Sequence, residues 1–537
     1  MNHDVLIVGA GVSGLCCARK LQMEGIRCLV LEASDGVGGR IRTDIVDGFR
    51  LDRGFQVFLT SYPEAKSILD YEALNLKPFL PGALVRYRGR FHELADPWRR
   101  PLSAVRSLFS PIGSFADKLR VASFRSRSLR GTIEDCFREP ETTSIQALQD
   151  AGFSTSMIEQ FFRPFLGGIF LDSELRTSSR MLNFVFRMFS LGKACLPAEG
   201  MDAIPRQLAA ALPPDSIRLG ARAVRVGPGA VTLSTGEELR AKSVVVAVEG
   251  CVGRELLGDE ISPGGQGTTC FYFSAPLPPV TQPQLVLNGD GRGPINNLCV
   301  PTVAAPSYGP GDKSLVSVTV LGTRHDTDRL LAEVRAQLGE WFGTAVQDWH
   351  HLQTYSITYA LPAQSPPALA VPERPVRWQS GIYVCGDHRD NASIQGAMVS
   401  GRRAAVAVLG LIWFVQVVHY PLFASVGNLE FPSYEQRHTA LTTWVVAPPM
   451  LIEGATAVLL IWFRPTGVAE WSVWFGLALL CVSWLSTAFV QVPCHELLSK
   501  VFDPIVHQRL VSTNWLRTAA WNLHGAMVLW MAWSSFQ

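Results

Sequence analysis

At 537 residues the chain is too long for one domain, and about 150 residues per domain gives three or four. With 48 Lys and Arg against 46 Asp and Glu, and no basic run, it carries no electrostatic footprint for nucleic acid; 47% hydrophobic residues and unexceptional glycine and proline exclude a disordered or fibrous chain. The averages hide a split, because only 5 basic and 6 acidic residues fall among the 134 after Arg403, about 8% against about 21% before it, and ten of the 14 tryptophans lie in that last quarter.

The apolar start, residues 4–17, is preceded by Asn2 and His3 rather than a basic region, and three glycines interrupt it. It reads as a strand and turn, not a signal peptide. Residues 5–8 form a short β-branched run, then come Gly9, Gly11 and Gly14, an apolar helical face (Leu15, Ala18, Leu21), a second strand at 28–31 and the acid Glu32. Each part has a physical role in dinucleotide binding. Gly9 allows a tight turn, Gly11 lets a pyrophosphate approach the backbone, and Gly14 lets helix pack on strand. The helix N-terminus then offers unpaired N–H groups, and Glu32 stands where an acid accepts bonds from ribose hydroxyls. A second glycine pair follows in Gly38-Gly39-Arg40, whose cation suits the same pyrophosphate.

This run resembles the superfamily of flavin-dependent amine oxidases, protoporphyrinogen oxidases and phytoene desaturases. The resemblance continues in Asp52-Arg53-Gly54-Phe55-Gln56, Phe162-Arg163-Pro164-Phe165-Leu166-Gly167-Gly168 and Leu196-Pro197-Ala198-Glu199-Gly200-Met201. It returns in Tyr359-Ala360-Leu361-Pro362, in Val384-Cys385-Gly386-Asp387 and in Ser393-Ile394-Gln395-Gly396-Ala397, and so covers about residues 1–408. It implies an α/β FAD-binding Rossmann-type domain assembled from 1–60, 195–265 and 375–408, with an inserted α+β substrate domain from 61–194 (helical part) and 266–374 (sheet part). The pattern of the chain agrees: 217–226, 241–248 and 382–385 read as strands, and 395–409 as a helix whose small residues Gly396, Ala397 and Gly401 allow close approach to a ring system. Cofactor contacts implied by the resemblance are Gly9, Gly11, Ser13, Gly14, Glu32, Gly38, Gly39, Arg40, Gly54, Val224, Gly386, Asp387, Gln395, Gly396 and Ala397. Asp387 would meet the ribityl-phosphate part, and 395–397 would start a helix at the flavin pyrimidine edge, where its dipole stabilises the reduced ring.

Hydride transfer to flavin is the cofactor's own chemistry, so no catalytic base need stand out, and none does. His388 reads as a structural hydrogen-bonder and Lys193 as a surface cation. No Ser-Gly-Gly-Cys run is present, so FAD is expected to be non-covalent. The eleven cysteines lack C-x-x-C or zinc spacing, which excludes a disulfide framework and a structural metal site and suits a reducing cytoplasm. The phenylalanines of 161–189 read mostly as core. Their abundance, with the apolar quarter, favours dehydrogenation or desaturation of a lipophilic small molecule over the alternative, a flavin amine oxidase; the candidate electron acceptors are a quinone and O2.

Four apolar stretches follow at about 404–426, 441–463, 471–493 and 515–535, each long enough to cross ~30 Å of hydrocarbon. Together they read as an all-α four-helix transmembrane bundle (409–537), with the FAD domain cytoplasmic because no signal peptide precedes it. The positive-inside count is balanced. Glu453 and His524 fall at matching depth and are expected to face one another; Gln416 with His419, and Gln491 with His495, are further intramembrane polar groups. A third reading makes this quarter an anchor or assembly module without chemistry.

Overall fold

Strands Val5–Val8 and Ser243–Val246 are buried along their whole length, as aliphatic runs are when both faces of a parallel sheet are covered. The computed structural model describes residues 3–258, 262, 264–409, 450–451, 453–465, 468–499 and 503–535. The chain divides into two units, Met1–Leu409 and Gly410–Gln537.

In the first unit a six-stranded sheet runs in the order Ile217–Arg218, Cys28–Leu31, Val5–Val8, Ser243–Val246, Ile382–Val384, Arg377–Gln379. All neighbours are parallel except the last pair. Helix Ile394–Leu409 lies on helix Val12–Met23 so closely that a Cβ on Gly401 would sit 2.1 Å from the Ser13 carbonyl oxygen. Gly401 therefore serves helix packing rather than approach to a ring. The expected strand 217–226 is two strands. Gly220, at φ +65, turns the chain, and it resumes as Ala223–Gly227 in a separate antiparallel sheet with Ala230–Leu233 and Glu238–Arg240.

A seven-stranded sheet forms the second body of this unit, in the order His350–Pro362, Gly265–Ala275, Ser314–Leu321, Ile295–Cys299, Leu285–Asn288, Gly82–Tyr87, Arg90–Ala95. The last two strands are a hairpin from the first insertion, and Gly82–Tyr87 pairs in parallel with Leu285–Asn288 of the second. The division into a helical and a sheet insertion is thereby corrected. The hairpin's two six-residue strands show no clean alternation of buried and exposed residues, so nothing marked them among their neighbours.

Asp52 ties the motifs together. Its Oδ1 accepts from the Thr43 hydroxyl at 2.6 Å and the Met201 N–H at 2.9 Å, its Oδ2 from the Tyr308 hydroxyl at 2.9 Å, and its carbonyl from the Tyr272 hydroxyl at 2.8 Å. Burial pushes this carboxyl up to about 6 despite those donors. An unfolded chain releases the proton near pH ~4. Between that point and pH 6 only the folded state keeps it, so this contribution to stability is full in acid and lost as pH rises through 6. Asp52→Asn is expected to remove that slope, on the order of 3 kcal/mol for about two pKa units, as read by denaturant unfolding at pH 4.5 and 7.5.

The second unit contains helix Glu453–Trp462, a helix running Glu470–Leu498 and helix Pro504–Ser535. Pro493, which lacks an N–H, follows a π-helical turn at Thr487–Gln491 within the second of these. Among the described residues only Glu470–Leu498 is long and apolar enough to cross a membrane, so the described residues supply one candidate span where four were expected. The first expected stretch begins inside helix Ile394–Leu409, where Ala404 and Ala405 are fully buried in the core of the first unit. Its remainder, with Gln416 and His419, lies outside the described residues. Among the described residues Glu453–Trp462 is shorter than a span, and Asn522 and His524 dilute the apolar run of Pro504–Ser535. The expected polar pair is present: His524 Nε2 stands 3.4 Å from Glu453 Oε1, and its Nδ1 lies 2.9 Å from the Gly476 carbonyl.

Candidate active site

A cavity of about 1270 Å³ runs through the first unit, from the glycine turn after Val5–Val8 to the helices of the first insertion. At its dinucleotide end the turn is built by conformations that only glycine takes easily. Gly9 has φ +105, and a Cβ there would lie 2.7 Å from the Ala247 carbonyl oxygen. Gly14 does not line the cavity; its missing Cβ lets the helix close on the turn, since a Cβ would sit 2.0 Å from the Gly9 oxygen. Gly11 is different. It stands at the N-cap of Val12–Met23 with extended backbone and no side-chain cap, and a Cβ there would meet nothing within 4 Å. A Cβ on Gly39 would likewise meet only Gly11 Cα, at 3.5 Å. Ser13 Oγ, buried on the first helical turn and lining the cavity, makes no hydrogen bond with the protein.

This is a cradle for a dinucleotide: open space over two glycines, an orphaned hydroxyl, and helix N–H groups with a positive dipole end. Glu32 also lines it. Its carboxylate accepts from Ala10 N–H at 2.8 Å and Ser34 N–H at 2.9 Å, which fixes it at the turn as a ribose acceptor. Helix Ile394–Leu409 presents a second N-terminus, where Ser393, Ile394 and Ala397 line the wall.

Arg40 and Asp387, 347 positions apart, form an ion pair with Nη2 2.7 Å from Oδ1, and Arg40 Nη1 donates to the Ala360 carbonyl at 2.8 Å. Three of the sequence motifs thus meet at one guanidinium. Gly38, Gly54 and Gly386 line the cavity beside them. His388 does not. It is buried behind Gly386 with both ring nitrogens unbonded, and burial pulls it down to about 4, so it is neutral. Among the described residues no cysteine or histidine lines the cavity; Cys385 is buried in the core and its thiol is pushed up to about 12 by that burial.

Besides Gly14, three of the expected cofactor residues fall outside the cavity lining. Val224 points outward, 53% exposed, because a register shift in its strand turns it away and leaves Ala223 on the wall. Gln395 uses its side-chain oxygen to accept the Glu64 N–H at 3.0 Å, and Gly396 packs against the Asn391 carbonyl. Missed by the sequence reading were Ala221, Arg222, Val248 and Glu249, which complete the dinucleotide end. They follow strands, and nothing in their local pattern marks them.

The other arm is apolar. Phe161, Phe165, Phe186 and Phe189 line it with Ile169 and Val185, whereas Phe162, Phe170 and Phe184 are buried core. The aromatic cluster is thus divided between wall and core, a correction to reading it mostly as core. At the mouth, Arg99, Lys118, Arg125 and Lys193 line the cavity against a single acid, Asp96. Lys193, expected as a surface cation, is exposed and also lines this mouth.

Fold and site together define a dinucleotide-binding protein whose cavity extends into an apolar arm. The model of the family "Flavin containing amine oxidoreductase" matches residues 12–409, and the chain belongs to that family. Members of that family are flavin-containing oxidoreductases that use FAD. The chain is 27% identical over 166 residues to protoporphyrinogen oxidase 2, chloroplastic/mitochondrial, of Arabidopsis thaliana, a stretch covering 30% of this chain and 32% of that protein. The match therefore spans about a third of that relative. Among solved structures it is similar to an oxidoreductase from Methanosarcina mazei (TM-score 0.59, 18% identity, 76% of this chain and 99% of that one). It is similar in the same way to cyclohexylamine oxidase from Brevibacterium oxydans IH-35A (TM-score 0.59, 16% identity, 77% and 100%).

Proposed function

We propose that the protein dehydrogenates or desaturates a lipophilic small molecule, with FAD held non-covalently and a quinone or O2 as the final electron acceptor. The observation that carries this is the phenylalanine-walled arm of the cavity, continuous with the cradle. FAD, when bound, supplies the hydride acceptor. Gly11, Ser13, Gly39 and Arg40 would hold its diphosphate, and Glu32 its ribose. The aromatic walls orient the substrate and exclude water, which strengthens every electrostatic interaction within. The basic mouth disfavours protonated amines and tolerates a neutral or anionic molecule. The relative named protoporphyrinogen oxidase is in keeping with this reading. The apolar quarter tethers the enzyme to a membrane, Glu470–Leu498 being its best-defined span; a four-span topology extends that proposal over the remaining apolar stretches.

Anaerobic mixing with isoprenoid and porphyrinogen-like lipids, and with primary and secondary amines, separates the two chemistries. Bleaching of the flavin by the lipids is expected. Bleaching by amines alone would make the protein an amine oxidase, as the aromatic walls would also allow.

A further inference from the structure

The near-neutral total charge conceals one strongly basic stretch. Residues 97–130 contain eight Lys and Arg and one acid, Asp117. Arg106, Arg127 and Arg130 are exposed there and form no ion pair among the described residues. The same stretch carries large apolar side chains on its surface: Leu102 is 87% exposed and Phe109 86%, with Val105, Phe115 and Leu119 also outside.

Helix Pro101–Leu108 is turned inside out. Its polar Ser107 is buried, its hydroxyl accepting the Ala95 N–H at 2.9 Å and donating to the Glu93 carbonyl at 3.2 Å, while Leu102, Val105 and Phe109 share the outer face. A helix facing water has the opposite polarity. Lys118 braces the following turn by donating to the Leu108 and Ser110 carbonyls, both at 2.9 Å, so the apolar ridge is held in place. Trp98, Val105, Leu108 and Leu119 belong both to this surface and to the cavity lining. The patch is therefore the rim of the substrate mouth.

We infer that this rim docks into an anionic phospholipid surface and takes its substrate from the bilayer. An exposed apolar ridge surrounded by unpaired arginines fits the headgroup boundary, where apolar side chains insert and cations meet lipid phosphates. The excess of seven positive charges selects an anionic bilayer over a second copy of this chain, whose matching face would repel it. The inference rests on the lipophilic-substrate reading for its purpose, but docking is measured without turnover, so the two fail separately.

The test uses the full chain with Phe109→Cys, in a Cys481→Ser background because Cys481 is the one exposed cysteine among the described residues, labelled with an environment-sensitive nitrobenzoxadiazole. The protein is reconstituted in vesicles of phosphatidylcholine, with or without phosphatidylglycerol. In the anionic vesicles the label is expected to shift to the blue, to be quenched by spin-labelled lipid, and to lose at least about fivefold in acrylamide quenching. Arg106→Glu with Arg127→Glu should reverse this, and a label at exposed Leu277 (Leu277→Cys) should stay wet. Two results overturn the inference. One is a Phe109 label equally open to acrylamide in both vesicle types. The other is shielding independent of lipid charge that rises with protein-to-lipid ratio, which would identify a second copy as the occupant.

Discussion

Gly11→Val is expected to give a folded protein that has lost its flavin. Gly11 has ordinary extended backbone, φ −69 and ψ 172, which valine adopts without strain. Its side chain would point into open space, so the apoprotein has no clash to relieve. That space is the one over the helix N-terminus where a diphosphate would lie, and branched carbon there keeps it from the N–H groups. The affinity for FAD should fall by at least about a hundredfold, which at 1.4 kcal/mol per tenfold is about 3 kcal/mol. Visible absorption reads the flavin, and near-ultraviolet circular dichroism reads the fold. Gly14→Ala is the contrasting case. Its Cβ would sit 2.0 Å from a backbone oxygen, so that change should damage folding itself. A yellow Gly11→Val protein would show that the cradle does not hold the cofactor.

A chain cut after Arg403 is expected to be unstable, and one cut after Leu409 to fold and hold FAD. Composition alone places the boundary at Arg403, where charge becomes scarce. The structure places it later, because Ala404, Ala405 and Val408 complete the buried face of helix Ile394–Leu409. Full burial of a valine contributes about 1.5–3 kcal/mol, and the two alanines and the lost helical turn add to that. Domains are stable by only about 5–15 kcal/mol, so the shorter chain gives up a large share. Denaturant midpoints with flavin release as a second probe distinguish the two. The longer chain should also turn over detergent-dispersed substrate if the apolar quarter is only an anchor; flavin binding without turnover would show that the quarter takes part.

Much of the dinucleotide end was legible in the sequence because its chemistry is local. Gly9, Gly11 and Gly14 announce the turn, and Glu32 follows at the required distance. Even so, their roles differ: Gly11 opens a site, whereas Gly14 closes a helix on the turn. The helix after Asp387 was also readable, but not which of its residues faces the cavity; Gln395 caps a neighbouring segment and Ala397 lines the wall. Val224 illustrates a different limit. A strand's direction follows from its β-branched residues, but a register shift of one residue reverses what each side chain faces. The phenylalanines of 161–189 could not be divided into wall and core from spacing, since both faces of a helix between sheet and cavity are apolar. In the last quarter apolar length was read as four spans, yet residues from 404 to 408 are equally apolar for a soluble reason, the core of the first unit. The Glu453 and His524 pairing survived because a costly charge constrains its partner more tightly than hydropathy constrains a span. The basic mouth draws on residues 97–130, whose eight cations are spread too widely to read as a run and vanish in the whole-chain average.

FAD is expected to be held without a covalent bond in the cradle formed by Gly11, Ser13, Gly39, Arg40 and Glu32. Acid precipitation of the purified 537-residue protein tests this most directly. A yellow supernatant containing one FAD per chain and a colourless pellet are expected. Flavin retained in the pellet, or a folded protein that stays colourless after incubation with FAD, would contradict it.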